Sequence, residues 1–573
     1  MEFAVHTNSG NADHTPDKGA LNDSVCETAV EMSVGVSGLV LETVTELGES
    51  VSIKTAEAGL GVSVTEDQAL LPAVIEIVSD KDGGALVAQS PRFPHNLPEK
   101  LELTRGKKDG KAYSVRRDQG NPYVLAVGNR ALNNAIREVA QGDGITLRQS
   151  AITEINHYLQ AKVDMTGFAV DIWYRVAAVD GGIEIDLGDD KHTRVRISAS
   201  KVEIITEGSD TLFWRTASCQ PMTMPAEVGN IKLLRKYASL HPVSHLLLVA
   251  WITWTLAHPK SPTSKYLILV LLGGQGTGKS ELSKLILRLI DPSLIGVQTL
   301  HSNPKDFAIA AQNAHVVCYD NMRNISHAMA DLLCMAATGG SFSSRQLYTD
   351  GDQNIMNLLV ALIVNSIHAV VDQPDLAQRC LALQTVVIPE ERRKSEVAMA
   401  AELEVDLPAI QRGLFDLIAK IFEQLPHAKV TSPTRMLDFS KWLAAMELVD
   451  GAPAGTYQDV YCDALVQGQL DALLGNTLAA AVLEFAEIQP NGVWSGTPSE
   501  LLNLLNFKAT PGTQRSRDWP QNVIALSKRL LPLQAGLLTQ GVFVELTRGK
   551  HRTITIKAAG AATATHSQLN ASN

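Results

Sequence analysis

The sequence predicts a multidomain chain of α/β and α+β parts. Three observations predict it. A glycine-rich loop of the form G-x-x-x-x-G-K-S, Gly273–Ser280, lies between an apolar run and a helical pattern. Strand and helix patterns alternate from about residue 265 to 391, as in a parallel sheet with helices on both faces. Hairpin signals precede this block, and a helix–helix–hairpin order follows it. The 573 residues leave room for roughly three to four domains of about 150 residues each. A hydrophobic content of 45% with 19% charged residues suits an ordinary globular core.

Charge is unevenly placed. The formal net charge is −11, but residues 1–80 hold fourteen Asp/Glu against Lys18 and Lys54, so the remainder is close to neutral. Residues 1–68 are therefore expected to be an acidic, disordered segment, poor in aromatics. The Val/Thr alternation around Val51–Val64 is their one strand-like feature. From Leu501 to Lys557 nine Lys/Arg face only Asp518 and Glu545, a local basic excess suited to a nucleic-acid partner. The six cysteines are scattered without a C-x-x-C pair, which argues against a disulfide framework or a zinc site. Neither a signal-peptide pattern nor a spanning apolar stretch occurs, so a cytoplasmic protein with no membrane partner is expected.

Residues 69–225 read as an α+β domain. Helical spacing covers Arg130–Gln141 and Leu147–Ala161. Trp173–Asp189 reads as strand, Asp-Gly-Gly turn and strand, and Arg194–Thr206 gives a second hairpin. Residues 226–262 are expected to be a helical linker or collar, Pro225–Ala257 reading as helix with its Trp-rich end in the core. Residues 263–425 form the central P-loop domain, 426–490 a helical region, 491–560 a basic winged-helix-like domain, and 561–573 a disordered tail.

In the central domain the apolar strand Tyr266–Leu272 precedes the loop and an amphipathic helix follows it, the context that gives the motif its meaning. Gly273, Gly274, Gln275, Gly276, Thr277 and Gly278 let consecutive peptide N–H groups turn toward phosphate oxygens, and a helix N-terminus adds partial positive charge there. Lys279 is expected to reach the β- and γ-phosphates of ATP, and Ser280 to ligate Mg2+. The short apolar strand Val316–Tyr319 ends in Asp320, a second magnesium-side group. Asn321 stands where a second acid would polarise the attacking water, so the catalytic base is unassigned; Asn321 itself orienting water and Asp331 approaching in space are both open. The strand of Leu358–Ser366 ends in Asn365, placed to sense the γ-phosphate. Arg379, before the next strand, is suited to bidentate phosphate contact from a neighbouring subunit.

The order of these motifs, with Thr338–Asp350 inserted between Asp320 and Asn365 and the segment from Asp375 to Arg393 after them, resembles superfamily-three helicases of the phage, plasmid and poxvirus primase-helicase type. The resemblance spans about Pro225–Arg393. It implies an AAA+-like core, a hexameric ring, and a β-hairpin that enters the central channel and grips single-stranded DNA. Arg345 and Tyr348 would be its phosphate and base contacts. Asn321 departs from the family pattern.

The family often carries a primase. Ile183–His192 is the one acidic candidate, and it reads more simply as a hairpin and acidic turn, leaving priming to a separate primase or replication protein. In the C-terminal region Lys528 and Arg529 on a helix, with Arg548, Lys550 and Arg552 at a wing turn, fit backbone contact with DNA. The sequence thus points to an ATP- and Mg2+-dependent DNA translocase or helicase of a phage- or plasmid-type replication system. The alternative is an AAA+ switch that remodels a protein partner. A metabolic kinase fits less well, because no acceptor site follows the loop.

Overall fold

The computed structural model describes residues 32–33, 40–44, 50–55, 61–65, 101–142, 144–166, 168–322, 325–345, 353–366, 374–516, 519–547 and 552–558. These divide into two compact units, residues 1–95 with 138–151, and residues 96–137 with 152–573. In the first, strands β1 (Met32–Ser33), β2 (Val40–Val44), β3 (Ser50–Thr55) and β4 (Gly61–Thr65) pair antiparallel in chain order. This departs from the disorder expected of residues 1–68. The alternation from Val51 to Val64 runs along β3 and β4, where a period of two is what a strand requires.

The second unit opens with β5 (Glu102–Gly106), β6 (Ala112–Arg116) and β7 (Tyr123–Ala126). Helices α1 (Arg130–Gly142) and α2 (Gln149–Thr166) follow in sequence where the apolar spacing predicts them. Strands β8 (Ala169–Val170) and β9 (Ile172–Trp173) precede an antiparallel meander, β10 (Val176–Val179), β11 (Gly182–Asp186), β12 (Arg194–Ser198) and β13 (Lys201–Ile205). Gly181, at φ 71°, makes the predicted turn between β10 and β11. Strand β14 (Leu212–Trp214) then completes a six-stranded sheet of order β8-β5-β6-β7-β14-β9.

The predicted helix from Pro225 to Ala257 is shorter than its pattern. Residues 225–230 are irregular, Ile231–Lys236 is a 3-10 turn, and α3 is confined to Pro242–Ala257. Pro242 occupies the first turn, where its missing N–H costs nothing. The tryptophans of α3 lie in the core, and their indoles hold the strand that leads to the glycine-rich loop. Trp251 Nε1 donates to the Leu267 carbonyl at 2.8 Å and Trp254 Nε1 to that of Lys265 at 3.0 Å.

The central sheet contains β15 (Ile268–Leu272), β16 (Val297–Gln298), β17 (Val316–Tyr319), β20 (Ala361–Ser366) and β21 (Cys380–Gln384). All are parallel, in the order β16-β17-β20-β15-β21. Helices α4 (Lys279–Ile290), α5 (Pro304–Gln312), α6 (His327–Thr338) and the short α7 (Pro374–Ala377) connect them. An antiparallel hairpin, β18 (Gly340–Arg345) with β19 (Gln353–Leu358), interrupts the series after α6. Strand β15 is buried on both faces and its alternation shows why. Leu269 and Leu271 join the apolar cluster of α3 and α4, while Ile268, Val270 and Leu272 join that of α5 and α6.

The long helix α8 (Glu396–Gln424), α9 (Leu437–Asp450), α10 (Thr456–Gly475) and α11 (Thr477–Glu487) make up the following helical region. The last part runs β22 (Val493–Gly496), α12 (Pro498–Lys508), α13 (Pro511–Gln514), α14 (Val523–Thr539), β23 (Val542–Thr547) and β24 (Thr553–Ala558). Its sheet has the order β22-β24-β23 over a core of Leu501, Leu505, Trp519, Leu526 and Leu530. Among the described residues no helix is long and apolar enough to cross a membrane.

Candidate functional site

The C-terminal edge of the central sheet collects the polar groups that the sequence places at strand ends. The chain leaves β15 at Leu272 and turns through Gly273 (φ 155°), Gly276 (φ 75°) and Gly278 (φ 77°) into α4. Gly273 admits no side chain, since a Cβ there would stand 2.1 Å from Thr385 Oγ1. Thr385 follows β21 directly and holds the loop from beneath. Its N–H donates to the Leu272 carbonyl at 2.7 Å, and its hydroxyl lies 2.8 Å from Thr277 Oγ1. Gly274, Gln275 and Gly276 face solvent, so the crest of the loop is open to a ligand.

Lys279 folds over this loop, its ammonium donating to the carbonyls of Gly273 at 2.7 Å and Gly274 at 2.8 Å. Ser280 Oγ donates to Asp320 Oδ2 at 2.8 Å. Asp320 follows β17, and its N–H is fixed on the Gln298 carbonyl at 2.9 Å. One residue beyond the Tyr319–Val364 pair, Asp320 and Asn365 come level, while Asn365 pairs with Leu271 on its other side. The loop, Asp320 and Asn365 are thus adjacent on one edge, as the strand-end readings expect.

Asn365 is fully buried. Its Oδ1 accepts from Ser283 Oγ at 2.9 Å, and its Nδ2 has no partner among the described residues. Asn321 is held in the left-handed region at φ 55°, with its N–H donating to Asp320 Oδ1 at 2.8 Å. Asparagine tolerates that conformation better than most residues, which bears on why it stands here. Asp331 lies exposed on α6.

Arg379 stands at the other end of the sheet. Its carbonyl accepts from the Ile268 N–H at the start of β15, and its guanidinium pairs with Asp375. Arg379 is therefore not brought together with the glycine-rich loop of its own chain.

The insertion after α6 is a hairpin, with register from Gly340–Leu358 to Arg345–Gln353. Arg345 forms the last described pair before the tip; Tyr348 lies outside the described residues. In the C-terminal part Lys528 is exposed on α14, whereas Arg529 is turned inward and donates to the Trp519 carbonyl. Arg552 is exposed at the start of β24; Arg548 and Lys550 lie outside the described residues.

Two carboxylates of the acidic stretch after β10, Glu184 and Asp186, are committed to ion pairs. Asp186 is buried against Arg194 and Arg215, the latter at 2.7 Å, and Glu184 accepts from Ser209 and Arg196. Burial raises the Asp186 carboxyl, but the two guanidinium groups outweigh it and hold the group well below the usual carboxylate range. Among the described residues no group of His, Cys, Asp or Glu is arranged to hold a metal as a cluster.

Two residues of the edge escaped the sequence reading. Ser283 is one turn beyond Ser280 on α4, and its only signal is a hydroxyl among the apolar positions Leu282, Leu285 and Ile286. Thr385 carries no motif at all.

Residues 231–466 match the family described as actinomycete integrative conjugative element replication protein, and residues 478–568 match the RepA C-terminal domain of these elements. No curated protein matches the chain. Among solved structures, the apo C-terminal region of NrS-1 aligns at 13% identity over 81% of this chain and 98% of that one, with a TM-score of 0.34. The JCV helicase aligns at 15% identity over 41% and 65%, with a TM-score of 0.19. A RuvB variant from Thermotoga maritima aligns at 14% identity over 58% and 96%, with a TM-score of 0.22. Scores this low carry nothing about function.

Proposed function

We propose that this chain, whose residues 231–466 and 478–568 match the replication-protein domains of actinomycete integrative conjugative elements, is an Mg-ATP-driven translocase or helicase on single-stranded DNA. The observation that carries the proposal is the convergence of the Gly273–Ser280 loop, Asp320 and Asn365 on one sheet edge, with a hairpin inserted between the last two.

The residues present suit Mg-ATP. Turned peptide N–H groups and Lys279 would cradle the phosphates, and the Ser280 and Asp320 oxygens would hold the ion, directly or through water. The ion's chemistry when bound is to neutralise charge developing on the phosphate oxygens. Lys279, now on loop carbonyls that a phosphate would displace, supplies a positive charge at the same place. Asn365 offers an amide N–H from the buried side. Arg379, set apart from its own loop, would complete the site of the next subunit in an AAA+-type ring. The hairpin, with Arg345 near its tip, would move the strand.

A winged-helix-like C-terminal domain that would bind DNA or a partner replication protein is supported by helices followed by the antiparallel strands β23 and β24, with β22 paired to β24. Lys528 and Arg552 are its accessible described cations among those proposed to meet DNA.

Asn321 favours a second reading, an ATP-assembled switch on a protein partner with slow turnover. Steady-state ATP hydrolysis with and without single-stranded DNA separates the two, run beside Lys279→Ala and Arg345→Ala. A motor shows turnover stimulated by DNA, abolished by Lys279→Ala, and reduced to its unstimulated level by Arg345→Ala. Slow hydrolysis indifferent to DNA would discard the motor.

A further inference from the structure

We infer that Ser283 is a positioning residue for nucleotide hydrolysis: its hydroxyl fixes the Asn365 amide so that the N–H side, and not the carbonyl, faces the γ-phosphate. This rests on the proposed role of the edge as an ATP site.

The Asn365 amide is satisfied on one side only. The residue is fully buried, its Oδ1 accepts from Ser283 Oγ at 2.9 Å, and Nδ2 is left without a partner among the described residues. A buried amide donor left unmet is costly, and one reason native interiors keep such a group is a catalytic role in which the acceptor arrives with a ligand. The surroundings say which ligand. Asn365 lies beside Leu271, two residues before the glycine-rich loop, and level with Asp320. An oxygen bound between the loop and Asp320 meets a donor only if the amide carbonyl is turned away.

Free amides rotate, and the two orientations of an asparagine differ only in where donor and acceptor lie. At this site a carbonyl turned to the phosphate would repel it. The orientation therefore needs an anchor, and Ser283 holds one end of the amide by donating to Oδ1 at 2.9 Å. A phosphate on the far side, which accepts from Nδ2 and repels a carbonyl, selects that orientation over the flipped one the hydroxyl could also accept from. Helix α4 supplies the rigidity: the Lys279 and Ser280 that would hold the nucleotide and the Ser283 that holds the sensor lie on one helix within two turns. Displacement of the phosphate-binding groups would thus be transmitted to the sensor without an intervening loop.

The test uses the full chain with Ser283→Ala, Asn365→Ala and the double variant, reading kcat, the dissociation constant for ATP, and the melting temperature. Ser283→Ala should lower kcat about tenfold, the scale of one lost orienting hydrogen bond. ATP affinity should stay near wild type, and the melting temperature should fall only by the few degrees that one buried acceptor left unmet costs. Asn365→Ala should be at least as slow, and the double variant no slower than Asn365→Ala, because the serine acts only through the amide. Ser283→Cys, which keeps a weaker donor, should recover part of the rate. An impaired Asn365→Ala beside a Ser283→Ala with unchanged kcat overturns the inference and leaves the ATP site standing. So does full additivity in the double variant. Wild-type kcat in Asn365→Ala overturns the sensor role itself, and the inference with it.

Discussion

The Ser280 hydroxyl donates to the Asp320 carboxylate across 2.8 Å, joining residues forty positions apart in the chain. The contact exists because β15 and β17 are parallel with β20 between them, so that α4 begins over the end of β17. A hydroxyl and a carboxylate at this spacing present two hard oxygens to one cation, which is the donor chemistry that Mg2+ prefers.

Ser280→Ala and Asp320→Asn should therefore act on the ion more than on the nucleotide. Each is expected to lower Mg-dependent turnover by about 10²-fold or more, the scale of losing one preorganised electrostatic contact. Binding of ATP in the presence of EDTA should change little. Equal losses of ATP affinity with and without magnesium would remove the pair from the metal's side of the site.

Gly273→Ala should damage the loop from below. The new methyl would stand 2.1 Å from Thr385 Oγ1, which is itself held on Leu272. Either the loop lifts or β21 shifts. The expected outcome is loss of ATP binding with a destabilisation of about 1–3 kcal/mol, as for overpacking elsewhere. Gly276→Ala, where a Cβ meets nothing within 4 Å, bears only the strain of its φ of 75° and should be milder. Comparable losses of binding and melting temperature in the two variants would refute the packing explanation.

Much of this edge is legible in the sequence because each group has a local signal. The Gly273–Ser280 loop is a contiguous motif, and Asp320 and Asn365 are polar residues closing apolar strands. What is not legible depends on packing between distant segments. Ser283 and Thr385 acquire roles only once α4 and β21 are folded against β20 and β15. Strand β22 is four residues long and becomes a strand only by pairing with β24. Helix α14 runs through Pro532 to Thr539, which a proline inside the segment argues against, because Leu533 and Leu537 have core to bury. The interior proline loses one hydrogen bond, and burial outweighs that.

Arg379 should be required in a neighbour and not in its own chain. Its backbone joins the start of β15, at the sheet end opposite the loop, and its guanidinium pairs with Asp375. Arg379→Ala alone should lower hydrolysis by about 10³-fold or more if it acts as an arginine finger. Mixing it with Lys279→Ala should restore a fraction of the activity, because mixed assemblies contain interfaces with an intact loop facing an intact arginine. Absence of any recovery, in mixtures shown to co-assemble, would return Arg379 to a purely internal role with Asp375.

His315 should make the fold acid-sensitive well above the carboxylate range. Its Nε2 lies 2.9 Å from the Thr255 carbonyl, so the ring donates there as the neutral tautomer, and Nδ1 is buried without a partner among the described residues. Burial pushes the imidazole down to about 4 from 6.5, the nearby Asp291 only partly opposing this. Between those values the unfolded chain takes a proton that the folded one refuses, so stability falls as pH is lowered from about 6.5 toward 4 and is indifferent to this group above. The same sign applies to His245 and His258, both held near 4 by burial. In urea titrations the free energy of unfolding should decline steadily across this window. His315→Gln keeps a donor for Thr255 without a titrating group, and it should reduce the slope by about one proton while leaving stability at pH 8 closer to wild type. An unchanged slope would mean that His315 is protonated in the native state, with Asp291 as its counter-charge.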